Sequence, residues 1–308
     1  MTEAAVAGVD VGGTHVRALG LDADGEVVAR ATDATPADDL EAALALIADA
    51  VCEVARAGPV GVGIPGLVDA HGVLRSGSNV TWRDAPVARA LADLLGRPVH
   101  VENDCTSGAY AEWRRGAARG HDDVLYVGVG TGIGGGLIVN GGLARGAHGW
   151  AGEIGHIIVQ PDGEICGCGN RGCWETVASG SAITREGRIA LTRHAHSALA
   201  AMTDDPATVT GEMVSAAARE GDPAARGILA EVGARLGQGI AGLVNVLDPS
   251  IVVVGGGASE AGELLLEPAR RAYEDAVQVA GAAPIEAAAL GIDAAAVGAA
   301  LLALDAAA

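Results

Sequence analysis

The chain has 308 residues, 50 % of them hydrophobic and 19 % charged, with aromatics at 2 % and no Phe. That composition supplies cores for two lobes of ordinary size and excludes wholesale disorder. The net charge is −19 and all 20 basic residues are Arg. The absence of Lys excludes a Walker A lysine, a Schiff-base lysine and the strand lysine of protein kinases.

The charge is −8 over residues 1–118 and −11 over 119–308, so it is spread and not gathered in a tail. Such a surface has no general attraction for phosphate backbones, and no nucleic-acid partner is expected. It reads as a solubilising surface, with adaptation to high salt as the alternative. Met1-Thr2-Glu3 runs straight into a strand-like stretch, unlike a signal peptide. The apolar run 294–304 is too short to span a bilayer. Five Cys, three of them within eight residues, speak for a metal and not for a disulfide framework. A cytoplasmic protein without a membrane partner is expected.

In chain order, a strand over 5–11 ends in Asp10-Val11-Gly12-Gly13-Thr14. Strands over 16–21 and 26–31, joined by Asp22-Ala23-Asp24-Gly25, complete an antiparallel meander. Within 36–57, Leu40, Leu44, Ile47 and Val51 recur at helical spacing. A buried-type strand over 60–64 is broken by Pro65-Gly66. A helix over 87–95 ends at Gly96, and a strand over 98–101 delivers Glu102-Asn103-Asp104 ahead of a helix over 106–114. Small residues over 116–120 mark a lobe boundary. The pattern then restarts with a strand over 124–129, a Gly-rich turn over 130–136 and a strand over 137–139. A long loop over 140–175 precedes helices over 181–191, 211–220 and 224–247. A strand over 251–254 ends in Gly255-Gly256-Gly257, followed by helices over 260–277 and 294–304. Each half opens with a strand pair around a Gly-Thr turn, a weak internal repeat. The expectation is an α/β fold of two lobes, 1–118 and 119–293, with a cleft between them.

Three Gly turns are candidates for phosphate or nucleotide binding. In Gly12-Gly13-Thr14 the glycines admit close backbone approach, Thr14 adds a hydroxyl, and Asp10 is placed to hold Mg²⁺. A plain hairpin turn is the alternative. Gly130-Thr131-Gly132 opens the second candidate. Its match to a dinucleotide fingerprint fails because a strand, not a helix, follows. Gly255-Gly256 joins a strand to a helix, which suits either a nucleotide or tight packing.

The most specific pattern is His156 with Cys166, Cys168 and Cys173. Three thiols and an imidazole suit tetrahedral zinc, and four protein ligands leave no open position, so the zinc would be structural. Cys52 and Cys105 read as small buried side chains. Asp104, at a strand end, is a candidate general base and equally a helix N-cap. Asn79 with Trp82 offers an amide and a ring, and Glu153 and Glu175 flank the Cys/His set.

Taken together and in this order, these motifs make the chain resemble a sugar kinase of the ROK family (repressors, open reading frames and kinases), in the actin-like ATPase superfamily. The resemblance implies a two-lobed actin-like (ribonuclease H-like) fold, with the C-terminal helix, about 294–308, packing back onto the first lobe. It implies ATP-dependent phosphorylation of a hexose, with Asp104 as base. Asn79, Asn103, Glu153, His156 and Glu175 would hold the sugar. Asp10, Gly12, Gly13, Thr14, Gly130, Thr131, Gly132, Gly255 and Gly256 would hold ATP with Mg²⁺. His156 would bind zinc through one ring nitrogen and offer the other to the sugar. Cys168-Gly169-Asn170-Arg171-Gly172-Cys173-Trp174-Glu175 resembles the glucokinase branch, so glucose leads. N-acetylmannosamine, N-acetylglucosamine and fructose are alternatives. His15 departs from the Lys that many members carry after Gly-Gly-Thr. A homo-oligomer, a dimer in the first place, is a family expectation. The family's repressors and a non-catalytic sugar-binding protein are the competing classes. The acidic charge opposes the first, and intact Asp10 and Asp104 oppose the second.

Overall fold

A computed structural model describes residues 3–193, 197–278 and 282–307. Met1 and Thr2 of the N-terminal reading, and Ala308 of the last-helix expectation, lie outside the described residues.

The chain opens with β1 (Val6–Val11), β2 (His15–Leu21), β3 (Val27–Ala34), α1 (Leu40–Val54) and β4 (Val60–Ile64). Next come β5 (Gly66–Val68), β6 (Leu74–Gly77), β7 (Arg83–Ala85), α2 (Val87–Leu95), β8 (Val99–Asn103) and α3 (Asp104–Arg115). After these stand β9 (Val124–Val129), β10 (Ile133–Val139), β11 (Gly142–Leu143), α4 (Glu175–Ala178), α5 (Gly180–Arg193), α6 (Ala198–Met202) and α7 (Gly211–Arg219). The chain closes with α8 (Pro223–Leu247), β12 (Ile251–Gly255), α9 (Glu263–Ala276), β13 (Ile285–Ala287) and α10 (Ala294–Ala307). No helix among the described residues is long and apolar enough to cross a membrane.

Two five-stranded sheets have the orders β3-β2-β1-β4-β8 and β11-β10-β9-β12-β13. Leaving aside the small sheet β5-β6-β7, both follow the same order of succession: third, second, first, fourth, fifth. The rhyme of Gly-Thr turns in the sequence is therefore a rhyme of topology. The small sheet corrects the sequence reading. The strand over 60–64 does end before Pro65, as expected, but Gly66 at φ 129° turns the chain straight into the unexpected β5, which pairs antiparallel with β6. Cys52 is also corrected: it stands on the outer face of α1 and is exposed, whereas its neighbour Val51 is buried.

The chain divides into two compact units. One comprises Met1–Tyr126, Gly136–Gly152 and Ala289–Ala308; the other comprises Val127–Gly135 and Glu153–Ala288. In the first unit β1, β2 and β3 run antiparallel, while β4 and β8 extend the sheet in parallel. One face packs on α1, whose buried Ile47 and Val51 continue a core with Val9, Val11 and Val62. Asp39 caps α1 by accepting the Ala42 N–H. The other face carries a glycine seam, with Gly8 opposite Gly61 and Asp10 opposite Gly63. A Cβ on Gly8 would lie 2.0 Å from the Ala296 carbonyl, and one on Gly61 1.8 Å from the Ala299 carbonyl. The backbone of α10 therefore lies directly on the strands, so a helix apolar on all sides is buried there. Gly61→Ala is expected to cost about 3 kcal/mol, because a backbone carbonyl, not a movable side chain, blocks the new methyl. Denaturant unfolding of the variant measures this, and an unchanged midpoint with an unchanged slope would overturn the packing argument.

The buried Glu112 carboxylate of α3 accepts backbone N–H groups from Ala117 at 2.8 Å, Leu290 at 2.8 Å and Ala289 at 3.1 Å. It thus fixes the segment that leads into α10.

In the second unit α8 packs on α9, with Gly237 and Gly233 letting the helices touch: Cβ atoms there would lie 1.9 Å and 2.4 Å from the Ala269 and Leu265 carbonyls. Asp222 caps α8 and Pro223 starts it. Burial of the Asp222 carboxylate is outweighed by its bonds to the N–H groups of Ala225, Leu199 and Ala224, which hold it below the usual carboxylate range. Trp174 donates its indole N–H to the Arg235 carbonyl at 3.0 Å and lies against Gly239, tying the Cys-rich segment to α8.

Candidate active site

In the first unit the turn between β1 and β2 is closed by the Gly12 N–H on the His15 carbonyl at 2.8 Å. Thr35 Oγ1 donates to the Gly12 carbonyl at 2.8 Å. Thr14 Oγ1 lies 3.0 Å from His15 Nδ1. Asn79 is brought to this turn, since a Cβ on Gly13 would stand 2.9 Å from that of Asn79. Trp82 is corrected from an open ring to a core one: it is buried, and its indole nitrogen has no partner among the described residues.

Asp10, the last residue but one of β1, stands opposite Arg17 on β2, with 3.4 Å between Arg17 Nη1 and Asp10 Oδ2. Burial, and then the charge of Asp104, push the Asp10 carboxyl up to about 7, with Arg17 opposing. A carboxyl raised in this way binds its proton more tightly in the folded than in the unfolded state. Its contribution to stability is full below its ordinary range near pH 4 and is lost as the pH rises to about 7. In metal-free buffer, Asp10→Asn is therefore expected to raise Tm at pH 8, on the order of 3 °C, and to leave it near wild type at pH 4. Equal shifts at both pH values, read by calorimetry, would overturn this.

Asp104 begins α3, and the helix cap is Asn103, correcting the N-cap reading of Asp104. Asn103 Oδ1 accepts the Thr106 N–H at 3.0 Å, and Nδ2 donates to the Gly66 carbonyl at 3.1 Å. One N–H and one lone pair of that amide are left for another partner. Asp104 Oδ1 accepts the Cys105 N–H at 2.9 Å. Burial outweighs this bond and pushes the Asp104 carboxyl above the usual range. Gly63 lies beside this turn, where a Cβ would stand 3.5 Å from the Asp104 Cα, an ordinary contact.

In the second unit the expected turn 130–136 is narrower than read. Only Gly130-Thr131-Gly132 turns, and Gly134 and Gly135 already lie in β10. The Gly130 and Thr131 carbonyls accept N–H groups from Gly180 and Ser181, so the turn sits against the start of α5. Gly255 closes β12, and Gly256 follows at φ 85°. A Cβ on Gly256 would stand 2.5 Å from the Val129 carbonyl, so close strand packing itself requires glycine here.

Glu153 and His156 lie at a 3₁₀ turn within the expected loop. The ligand atoms of His156, Cys166, Cys168 and Cys173 all fall within 4.8 Å of one another. Cys168 Sγ and Cys173 Sγ are 3.7 Å apart, as are Cys166 Sγ and His156 Nδ1. A zinc–sulfur bond of about 2.3 Å in a tetrahedron gives an edge of about 3.8 Å, so the set fits zinc. The opposite ring atom, His156 Nε2, lies 3.6 Å from Glu153 Oε2. Glu175 joins this group to the Gly turn: Oε1 is 2.8 Å from Cys166 Sγ, and Oε2 accepts the Ile133 N–H at 3.3 Å.

Sequence reasoning passed over Arg17 and Arg145 and named Glu102 only within a triplet. Arg17 is readable from register, since four residues, 12–15, separate the paired Val11 and Val16 and set Arg17 opposite Asp10. Arg145 carried no such signal, because its partner Glu102 lies 43 residues away.

The ROK family model matches residues 6–306. The glucokinase of Streptomyces coelicolor is 39 % identical over 87 % of this chain and 86 % of its own. A crystal structure of a ROK family glucokinase from Streptomyces griseus, in complex with glucose and AMPPNP, has a TM-score of 0.91 at 38 % identity, covering 97 % of this chain and 99 % of that one. The ROK hexokinase of Thermus thermophilus has a TM-score of 0.80 at 35 % identity, covering 98 % of each chain. With its fold, paired sheets and Cys/His set, the chain belongs to the ROK family and carries the fold of its sugar kinases.

Proposed function

We propose that this chain is an ATP-dependent glucokinase that phosphorylates the 6-hydroxyl of D-glucose. The observation that carries the reading is Asp104: a carboxyl at a strand–helix junction, raised above its ordinary range by burial, beside a second raised carboxyl at a Gly-Gly-Thr turn. A base is most effective when its pKa nears the working pH. The family membership and the glucokinases among its relatives support the same reading.

Asp104 takes the proton of the 6-hydroxyl as that oxygen bonds to the γ-phosphorus. The bond from the γ-phosphorus to the β–γ bridging oxygen breaks, and ADP leaves. Asn79, Asn103, Glu153, His156 and Glu175 hold and orient the sugar. Gly12, Gly13, Thr14, Gly130, Thr131, Gly132, Gly255 and Gly256 hold the nucleotide. Phosphoryl transfer needs positioning and charge neutralisation above all. In a chain without Lys, that neutralisation falls to backbone N–H groups, the hydroxyls of Thr14 and Thr131, and Mg²⁺. The Asp10 carboxylate, under repulsion from Asp104, is the group that would hold Mg²⁺, directly or through water. Zinc, held by His156 and the three Cys, would fix the shape of the segment between Glu153 and Glu175. A homodimer and a cytoplasmic location belong to this reading as family expectations.

Steady-state ADP release with ATP·Mg²⁺ tests it, using D-glucose beside N-acetylmannosamine, N-acetylglucosamine and fructose, and polyphosphate beside ATP. Glucose with ATP is expected to give the highest kcat/KM. A higher value for another sugar would overturn the substrate, and no turnover with any would overturn the kinase reading.

A further inference from the structure

We propose that Arg145 is a positioning residue for phosphoryl transfer: its ion pair with Glu102 fixes the strand-to-helix turn that aims Asp104. The proposal rests on the kinase reading above.

Arg145 Nε donates to Glu102 Oε2 at 2.7 Å. The Glu102 side chain is 6 % exposed and that of Arg145 is 40 %. The second oxygen, Glu102 Oε1, accepts the Asn103 N–H at 3.1 Å. Asn103 in turn bonds through its amide to Thr106 and to the Gly66 carbonyl. A continuous line of hydrogen bonds thus runs from Arg145, two residues beyond β11, to the residues on either side of Asp104. Register places Glu102 level with Gly63, and Gly63 level with Asp10. Both carboxylates therefore leave the sheet on the face that α3 covers. His100, beside the pair, is held below the usual imidazole range by burial, with Arg145 adding to that effect and Glu102 opposing it. Arg145 is thus the cation bound to Glu102 among the described residues.

Stability is a poor reason for this pair. Buried ion pairs seldom stabilise more than apolar residues of the same volume, because desolvation offsets the attraction. Geometry is the better reason. An Asn103 N–H fixed on a rigid carboxylate restrains the backbone just before Asp104, where a small misplacement costs a large factor in rate.

The test compares wild type, Arg145→Met, Arg145→Lys and the double variant Glu102→Gln/Arg145→Met. Arg145→Met leaves an unpaired buried carboxylate, so its Tm is expected to fall; the double variant removes that charge and is expected to recover Tm. In both, kcat is expected to fall about 10- to 100-fold, with glucose affinity by calorimetry within about threefold of wild type. Arg145→Lys is expected to recover part of kcat. Because Arg145 is not among the groups that set the Asp104 carboxyl, the acid limb of kcat should stay in place. If kcat returns together with Tm in the double variant, the pair is structural only and the proposal fails. If glucose affinity falls and kcat holds, Arg145 acts on sugar binding and the proposal fails. If wild type phosphorylates no sugar, the kinase reading fails first and this proposal with it.

Discussion

Asp104→Asn is expected to lower kcat by about 10³- to 10⁴-fold while leaving glucose affinity within about threefold. Asn keeps the size and the acceptor oxygen of Asp, so the bond from the Cys105 N–H survives and α3 keeps its first turn. What is lost is the capacity to take a proton. Asn103, not Asp104, caps the helix, so the substitution does not remove the cap. It also relieves the repulsion that Asp104 exerts on Asp10, whose pKa is expected to move down from about 7. In wild type, the acid limb of kcat/KM should lie above the ordinary carboxylate range, because burial raises Asp104 and activity needs its ionised form. Rate and binding are read by stopped-time ADP release and by calorimetry with glucose. A wild-type kcat in the variant would remove Asp104 from the base role. A loss of glucose binding equal to the loss of rate would make Asp104 a sugar ligand.

Local pattern predicted most of the framework. The β1–β2–β3 meander, the buried β4 and the long α8 follow from period, turn residues and caps. The misses have two physical causes: elements too short to show a period, and contacts distant in sequence. The small sheet β5-β6-β7 was missed because its strands have three or four residues, too few for alternation to show. Gly8 and Gly61 stand in otherwise apolar strands, yet their missing Cβ atoms make room for the backbone of α10, which no local window contains. The candidate site divides in the same way. Asp10, Asp104 and the Cys/His set stood out because their chemistry is unusual for their neighbourhood. Arg145 did not, because an exposed Arg near a turn is ordinary until its buried partner is known.

Removal of zinc is expected to be the second large effect. Cys173 is fully buried beside Trp174, which is itself anchored on α8. Cys166 is buried too, while Cys168 is exposed, so the cluster closes the segment from the inside outward. Within that segment the backbone order is local: isolated bridges join Ile158 to Cys173 and Ile165 to Arg171, and short-range bonds such as the Cys166 N–H on the Asn170 carbonyl close its turns. Without a cation, burial pushes the Cys166 and Cys173 thiols up, whereas burial at Cys168 is outweighed by the Asn170 N–H and the neighbouring thiols, which draw it down, and the sulfur atoms meet only through weak contacts. Glu153 and Glu175 sit at the two ends of this segment and touch His156 from both sides. Loosening the cluster should therefore appear first as lost sugar affinity and only second as lost rate. Cys173→Ser is expected to abolish stoichiometric zinc and to raise the KM for glucose about 10- to 100-fold, with the KM for ATP within about threefold. Cys52→Ser, on the exposed face of α1, is the control and should change neither. Chelated wild type should recover on adding zinc, whereas Cys173→Ser should not. Metal analysis with paired KM measurements reads the outcome. A zinc-free chain with the wild-type KM for glucose would strip the cluster of its role in holding the sugar residues.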